Sequence, residues 1–329
     1  MANNKFVLRD GTTLLDLTAD TVTSASLAYG AKAHDASGAQ ITGTAQTFSF
    51  DNDGYFLYPE TVIVPNTVTR IQSSVANGFY KHSEIKHIIY EDGLLPLNIN
   101  GAYNFEECSG LIDCVLPTRY IGTSMPYFKK CTSLKQVNVP SSVTTMYDCF
   151  SRCTALETFE IPSSVTTLNS NTFYGCTSLA SVTLPEGITS MGSSIFEGCT
   201  AITEIELPST VASIGSSMFK GCTSLETITF KSIPSCSYYT YTTGSNPFYG
   251  CTALEDVVLP SGWNVNLILS NGSSYFTNVL THDSLVAMIA NLYDFSGDTA
   301  HTLTIGATNL ARLSAAEQAV ATAKNWTLA

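Results

Sequence analysis

One phrase recurs along this chain and limits what it can fold into. "FYGCTSLASVTL" stands at 173–184, "FEGCTAITEIEL" at 196–207, "FKGCTSLETITF" at 219–230 and "FYGCTALEDVVL" at 248–259. Aligned on cysteine, the copies fall at Cys108, Cys131, Cys153, Cys176, Cys199, Cys222 and Cys251, at intervals of 23, 22, 23, 23, 23 and 29 residues. A phenylalanine stands three positions before each, from Phe105 to Phe248, and a leucine or isoleucine three after, from Leu111 to Leu254. An earlier copy, "FYKHSEIKHIIY", keeps Phe79 and Ile85 in frame and puts His82 in the cysteine slot; a faded ninth lies at "YFTNVL", 275–280.

Each copy goes on with alternation, as in Leu179, Val182 and Leu184, and stops at a proline such as Pro185, which cannot extend a ladder. Further apolar residues follow, such as Ile188 and Met191. One such unit cannot bury its own Phe, Leu and Val, but stacked units can, because each covers the apolar edge of the next. The pattern therefore predicts a repeat solenoid of about eight coils, about 4.8 Å apart, with short strands on one side and turns on the convex side.

The frame F-x-G-C-T-S-L-x-x-V-x-L-P resembles the BspA-like leucine-rich repeat over roughly residues 62–260. The resemblance implies adhesion or protein binding, with no shared active site.

Ten cysteines raise sharper alternatives. Zinc sites want converging pairs such as C-x2-C, whereas here a single column runs at coil spacing. The nearest pair, Cys149 and Cys153, already shares a residue with that column. Parallel side chains in a stack aim poorly at each other for disulfides. The column reads as small buried thiols; Cys114 fits the same reading, and Cys236 is left open.

Both ends leave the repeat, which divides the chain into residues 1–48, 49–280 and 281–329. The first segment reads as a strand, a short helix from Asp20 to Gly30 and a hairpin through "DASG". Its pieces "LLDLTADTVTSASL" and "AHDASGAQITGT" resemble a small N-terminal module of bacteriophage structural and tail-associated proteins; a plain cap on the first coil is the alternative. In the last segment, Leu285, Val286, Met288, Ile289 and Leu292 share a helical face. "HTLTIG" and "NWTLA" read as strands, and Ser314 with Glu317 forms a capping box. This tail is similar to one that ends many BspA-like repeat proteins, phage-encoded ones included, and is expected to cap the solenoid.

Net charge is -12 and no Lys or Arg run interrupts it, so no nucleic-acid partner is expected. No apolar run approaches a membrane span, and the N-terminus lacks the basic and apolar regions of a secretory signal. Of the five histidines, His82 is expected to be buried in its core slot, and His34 sits in a turn. No G-x-S-x-G, Walker loop, G-x-G-x-x-G or H-E-x-x-H occurs, so neither catalysis nor a cofactor nor a metal is expected. "DNDGY", 51–55, lacks the remaining ligands of a calcium loop and reads as a turn between strands.

The enlarged interval before Cys251 carries "KSIPSCSYYTYTTGSNPF". Repeat insertions bulge on one face, often the binding face, and tyrosines suit sugars or protein surfaces. Tyr238, Tyr239 and Tyr241 are therefore the candidate binding residues, unless they fold back over the larger coil. A weaker bulge lies at "EDGLLPLNINGAYNF".

The leading expectation is a non-enzymatic structural or binding protein of a phage-like particle. Residues 1–48 would dock to other virion or tail proteins, and the solenoid would meet a bacterial surface receptor or glycan. Such a particle presents repeated copies, compatible with a homo-oligomer, and would place the chain in the virion. The alternative is a bacterial cell-surface adhesin of the BspA type that binds host protein or glycan.

Overall fold

A computed structural model describes residues 60–64, 66, 70–72, 79–91, 93–100, 103–211, 213–232, 246–265, 267–268 and 279–329, with the backbone of six short strands before residue 58. The fold is a parallel-sheet β-solenoid of about nine turns with small helices at its C-terminal end. It divides into two compact units: unit 1 is Met1–Gly122 with Pro126–Pro140, and unit 2 is Thr123–Met125 with Ser141–Ala329.

In unit 1, the strands Thr61–Val64, His87–Tyr90, Asp113–Val115 and Gln136–Val137 form one parallel sheet in register. Arg70–Gln72 and Asn98–Asn100 pair in a second. Alternation decides which side chains enter the core: Ile88 and Cys114 are buried, whereas Ile89 and Val115 face out. The strands Lys32–His34 and Gln40–Thr42 pair antiparallel around "DASG", as the hairpin reading requires. Ser49–Phe50 and Phe56–Leu57 likewise pair antiparallel, and "DNDGY" between them lies outside the described residues. The helix expected from Asp20 lies outside the described residues.

In unit 2, Thr158–Glu160 pairs with Ser181–Thr183, and Glu204–Leu207, Thr227–Phe230 and Asp256–Val258 form a three-stranded sheet. The side expected to hold only turns carries a further ladder, Thr145–Met146, Thr167–Leu168 and Ser190–Met191. Met146, Leu168 and Met191 point inward from it, so this run is strand as well as turn.

The repeated phrase is a corner that ties each coil to its neighbours. The phenylalanine and glycine amides donate to the following coil, as Phe173 to Ile195 and Gly175 to Glu197, and the cysteine and threonine side chains to the preceding one. The phenylalanine rings lie nearly parallel: Phe79 on Phe105 and Phe105 on Phe128 in unit 1, then Phe150, Phe173, Phe196, Phe219 and Phe248 at 5.6, 5.7, 5.7 and 5.9 Å in unit 2. Every described cysteine is buried and unbridged. The thiols of Cys131, Cys176, Cys199, Cys222 and Cys251 donate to the carbonyls of Phe105, Phe150, Phe173, Phe196 and Phe219, at 3.0–3.1 Å. The next residue repeats the device: Thr132, Thr200 and Thr252 donate to the carbonyls of Ser109, Thr177 and Thr223. The cysteine is thus more than an apolar filler, since an unpaired buried carbonyl is costly.

The glycine sits at positive φ, from 68 to 80° at Gly175, Gly198, Gly221 and Gly250. A Cβ added at Gly198 would lie 3.6 Å from Gly175 Cα. Lys81, Glu107, Lys130 and Arg152 occupy the same slot at φ of 61–64°.

The C-terminal segment closes unit 2 with helices instead of another rung. Helix α1 (His282–Asn291) is capped by Thr281, whose side chain accepts from the Ser284 amide. Ser284 Oγ accepts from the Val257 amide at 2.9 Å, and Asn291 Nδ2 donates to the Leu259 carbonyl at 2.9 Å. Seven residues is two helical turns, so both side chains stand on one face and satisfy the exposed strand edge. Ser284 is therefore buried, while Val286, expected on the core face, is half-exposed. Lys324 Nζ donates to the carbonyls of Ala290 and Leu292 at the end of α1, where a cation suits the helix dipole. The short helix α2 (Ala307–Leu310) was not legible, but α3 (Ala315–Ala323) opens with the expected Ser314–Glu317 capping box. His301–Thr304 and Trp326–Leu328 are the two expected strands, paired in parallel. Among the described residues no helix is long and apolar enough to cross a membrane.

Candidate functional site

With the inner positions committed to the core, the outward positions of the main sheets remain free to meet a partner. In unit 1 one register row is Thr61, His87, Asp113 and Gln136, and the next is Ile63, Ile89 and Val115. Ile89 and Val115 are 49 and 61% exposed. His87 Nδ1 lies 2.7 Å from Asp113 Oδ2, with both side chains about one-third exposed. A row of Thr, His and Asp has the residue types of a nucleophile relay. Hydrolysis also needs donors aimed at a developing oxyanion, and the amides of His87, Ile112 and Asp113 beside the pair donate within the coils, to Glu60 and Lys86 carbonyls. His87 and Asp113 are a cross-strand pair on a wet surface.

Unit 2 presents different chemistry at the same positions: Thr158 and Glu160, Ser181 and Thr183, Glu204 and Glu206, Thr227 and Thr229. Among the described residues, Ser181–Thr183 and Glu204–Leu207 do not pair, although they belong to adjacent coils. A groove of about 460 Å³ opens at this missing rung, lined by Ser181, Thr183, Glu204, Glu206 and Thr229. Its lining is mostly polar, with a smaller apolar part. Val182 and Leu184 are half-exposed there, whereas Phe159, Ile161, Ile205 and Leu207 in the coils on either side are buried. Hydroxyls and carboxylates around a small apolar strip offer a partner hydrogen bonds more than apolar area.

Lys231 pairs with one of the lining carboxylates. Its Nζ lies 2.6 Å from Glu206 Oε1 and 2.9 Å from Glu186 Oε1. Hydrogen bonds from Lys231 and then Ser209 hold the Glu186 carboxyl down at about 2.

Tyr238, Tyr239 and Tyr241 lie outside the described residues, as does Cys236. The exit of their insertion is fixed by Asn246, which is buried and accepts from the Phe248 amide at 2.8 Å. His82 departs from expectation. It keeps the cysteine's place in the coil, but its side chain is 32% exposed and its Nδ1 turns to Glu84 Oε1 at 2.9 Å, because an imidazole outsizes a slot built for a thiol. Among the described residues no cluster of three or more His, Cys, Asp and Glu is arranged to hold a metal ion. The groove was not visible in the sequence; the Ser–Val–Thr of residues 181–183 differs from the neighbouring Thr–Phe–Glu and Glu–Ile–Glu only in being smaller and uncharged.

Coils of this kind, with a fixed inner alphabet and a variable outer one, define a leucine-rich type of repeat protein. The BspA type leucine-rich repeat region matches residues 55–154 and 146–279, in six copies, and the chain belongs to this family. No curated protein matches it. Among solved structures it is similar to a T. pallidum leucine-rich repeat protein, at 21% identity over 64% of this chain and 88% of that one, with a TM-score of 0.43. A leucine-rich cell surface protein of Faecalibacterium prausnitzii shares 20% identity over 97 and 96% of the two chains, with a TM-score of 0.40. The pneumococcal vaccine antigen PcpA shares 19% identity over 88% of this chain and 72% of PcpA, with a TM-score of 0.44. The family match does not reach residues 1–48 or 281–329, so the resemblance of the ends to phage proteins gains nothing from these comparisons.

Proposed function

We propose that this chain is a non-enzymatic binding protein of the bacterial surface type, holding a macromolecular partner against the outward face of its coils. The observation that carries the reading is the groove at the missing rung of unit 2, with Val182 and Leu184 as floor and Ser181, Thr183, Glu204 and Glu206 as rim. Membership of a repeat family without a shared active site supports binding over turnover. The same membership favours the cell surface over a virion, whose support remains the resemblance of residues 1–48.

Two measurements test this. Immunogold labelling of intact source bacteria and of purified virions should mark the cells; label confined to virions would reverse the assignment. In flow cytometry, the fluorescent full chain should bind host epithelial cells saturably. A Ser181→Arg, Thr183→Arg double variant should lose at least tenfold in affinity with its circular dichroism unchanged. Equal binding by both proteins would remove the groove as the contact surface.

A further inference from the structure

Two corner positions of the coil hold left-handed backbone, and the two units fill them differently. Five residues before the cysteine, unit 2 has Asp148, Asn171, Ser194 and Ser217 at φ of 48–61°. These are short polar residues, and Asn and Asp tolerate this region. Unit 1 has Tyr103 there, at φ 78°. One residue before the cysteine, four coils of unit 2 have Gly175, Gly198, Gly221 and Gly250, where unit 1 has Lys81, Glu107 and Lys130 at φ of 61–64°. A bulky side chain in this conformation is disfavoured and persists where its surroundings or its use demand it.

These strained residues converge. The Tyr80 and Tyr103 rings lie 5.5 Å apart at 55°. Lys81 Nζ stands 5.0 Å from the Tyr80 ring centroid and 3.5 Å from Glu107 Oε2. Lys130 Nζ donates to Glu107 Oε1 at 2.5 Å. Tyr103 is 43% exposed. The slot is left-handed in every described coil, Arg152 of unit 2 included, so the conformation belongs to the coil. Exposed ion pairs stabilise little, so what sets Lys81, Glu107 and Lys130 apart is the surface they make together.

We propose that Tyr80, Lys81, Tyr103, Glu107 and Lys130 form a saccharide-binding platform. A pyranose ring offers a face of C–H bonds and a rim of hydroxyls. The exposed ring of Tyr103 receives the first, in the rigid amphipathic manner that makes tyrosine a contact residue. The Glu107 carboxylate accepts from the hydroxyls and the two ammonium groups donate to them, as charge-assisted bonds. Glu107 is a carboxylate acceptor at neutral pH, and Lys130 and then Lys81 lower its pKa further. The platform is a corner of unit 1, independent of the groove proposed above.

The test is titration calorimetry of the full chain with hexasaccharides of glucose, of N-acetylglucosamine and of alternating glucuronate and N-acetylglucosamine. At least one should bind with a Kd below about 1 mM. Tyr103→Gly relieves the backbone while deleting the ring, so it should keep the wild-type Tm and weaken binding at least tenfold; Glu107→Gln should weaken it as well. No binding across the three sugars overturns the proposal. So does unaltered affinity in Tyr103→Gly, or a large loss of Tm, which would make the ring a structural prop.

Discussion

Units 1 and 2 build the same coil and dress it differently. Both stack phenylalanine on phenylalanine and seat a thiol against the previous carbonyl. Outside, unit 1 shows Ile89, Val115 and a His87–Asp113 pair, while unit 2 shows hydroxyls and carboxylates around an opened rung. Charge follows the same division. The Lys and Arg residues of unit 2 are Arg152, Lys220, Lys231, Arg312 and Lys324, outnumbered well over two to one by Asp and Glu, whereas unit 1 is nearly balanced. The inner columns are fixed by stacking, and the outer ones are released by it, so one scaffold can carry two surfaces.

The largest effect should come from what the units share. Burial pushes the thiols of Cys108, Cys176 and Cys222 up to about 12. In the unfolded chain a thiol ionises near about 8.5. Below that pH both states keep the proton, and the stabilisation is complete. Above it the unfolded chain loses protons that the folded chain retains, so stability falls as pH rises toward 12. Each thiol should contribute a slope of about 1.4 kcal/mol per pH unit in that window. Urea denaturation at successive pH values from 8 to 10.5 measures it, and Cys222→Ala should flatten the curve as much as Cys108→Ala. A slope arising from one unit alone would break the equivalence of their cores.

Next comes the contrast of inner with outer positions. Phe196→Ala should cost about 3–5 kcal/mol and Leu179→Ala about 2–5 kcal/mol, because both side chains are fully buried. Thr183→Ala and Val115→Ala, on the outward faces of the two units, should stay within about 0.5 kcal/mol. An outward substitution as costly as Leu179→Ala would mean that face is already covered.

This contrast also marks what the sequence could reveal. Phe, Cys and Leu recur at fixed spacing because each touches its own copy in the next coil, so the solenoid and its core were legible. The capping box at Ser314 was legible for a local reason, since both partners lie within four residues. The thiol-to-carbonyl bonds were hidden, because spacing alone does not separate an apolar thiol from a donor. The second ladder was hidden too, since Thr167–Leu168 and Ser190–Met191 are two residues long. Ser284 and Asn291 escaped notice because a helix replacing a rung leaves no period. The groove escaped for a deeper reason: outward residues are released from the repeat, and a missing pairing has no sequence signature.

The corner position sharpens the comparison at smaller energies. Gly221→Ala should destabilise unit 2 by about 1–2 kcal/mol, since φ is 75° there and alanine resists it. The reverse change in unit 1, Lys81→Gly, should shift stability by less than about 1 kcal/mol, because relief of the backbone is offset by the greater freedom of glycine when unfolded. Thermal denaturation of both variants reads the asymmetry. A large loss in Lys81→Gly would show that its contacts with Tyr80 and Glu107 hold the coil.

The smallest effect belongs to the surface ion pairs, which both units use. Glu186 lies exposed against Lys231 and Ser209 in unit 2, and Glu107 lies against Lys130 and Lys81 in unit 1. Both carboxyls are held below the ordinary range, Glu186 at about 2. A depressed carboxyl stabilises the fold above its unfolded pKa and stops doing so as pH falls through its folded one. The Tm difference between wild type and Glu186→Gln should therefore be small and constant above pH about 5, and shrink between there and about 2. Salt at about 1 M should shrink it at every pH, since the Debye length then falls to about 3 Å. A difference that survives both acid and salt would assign Glu186 to packing against Ser209 and Thr210, and would set the charged rim of unit 2 apart from that of unit 1.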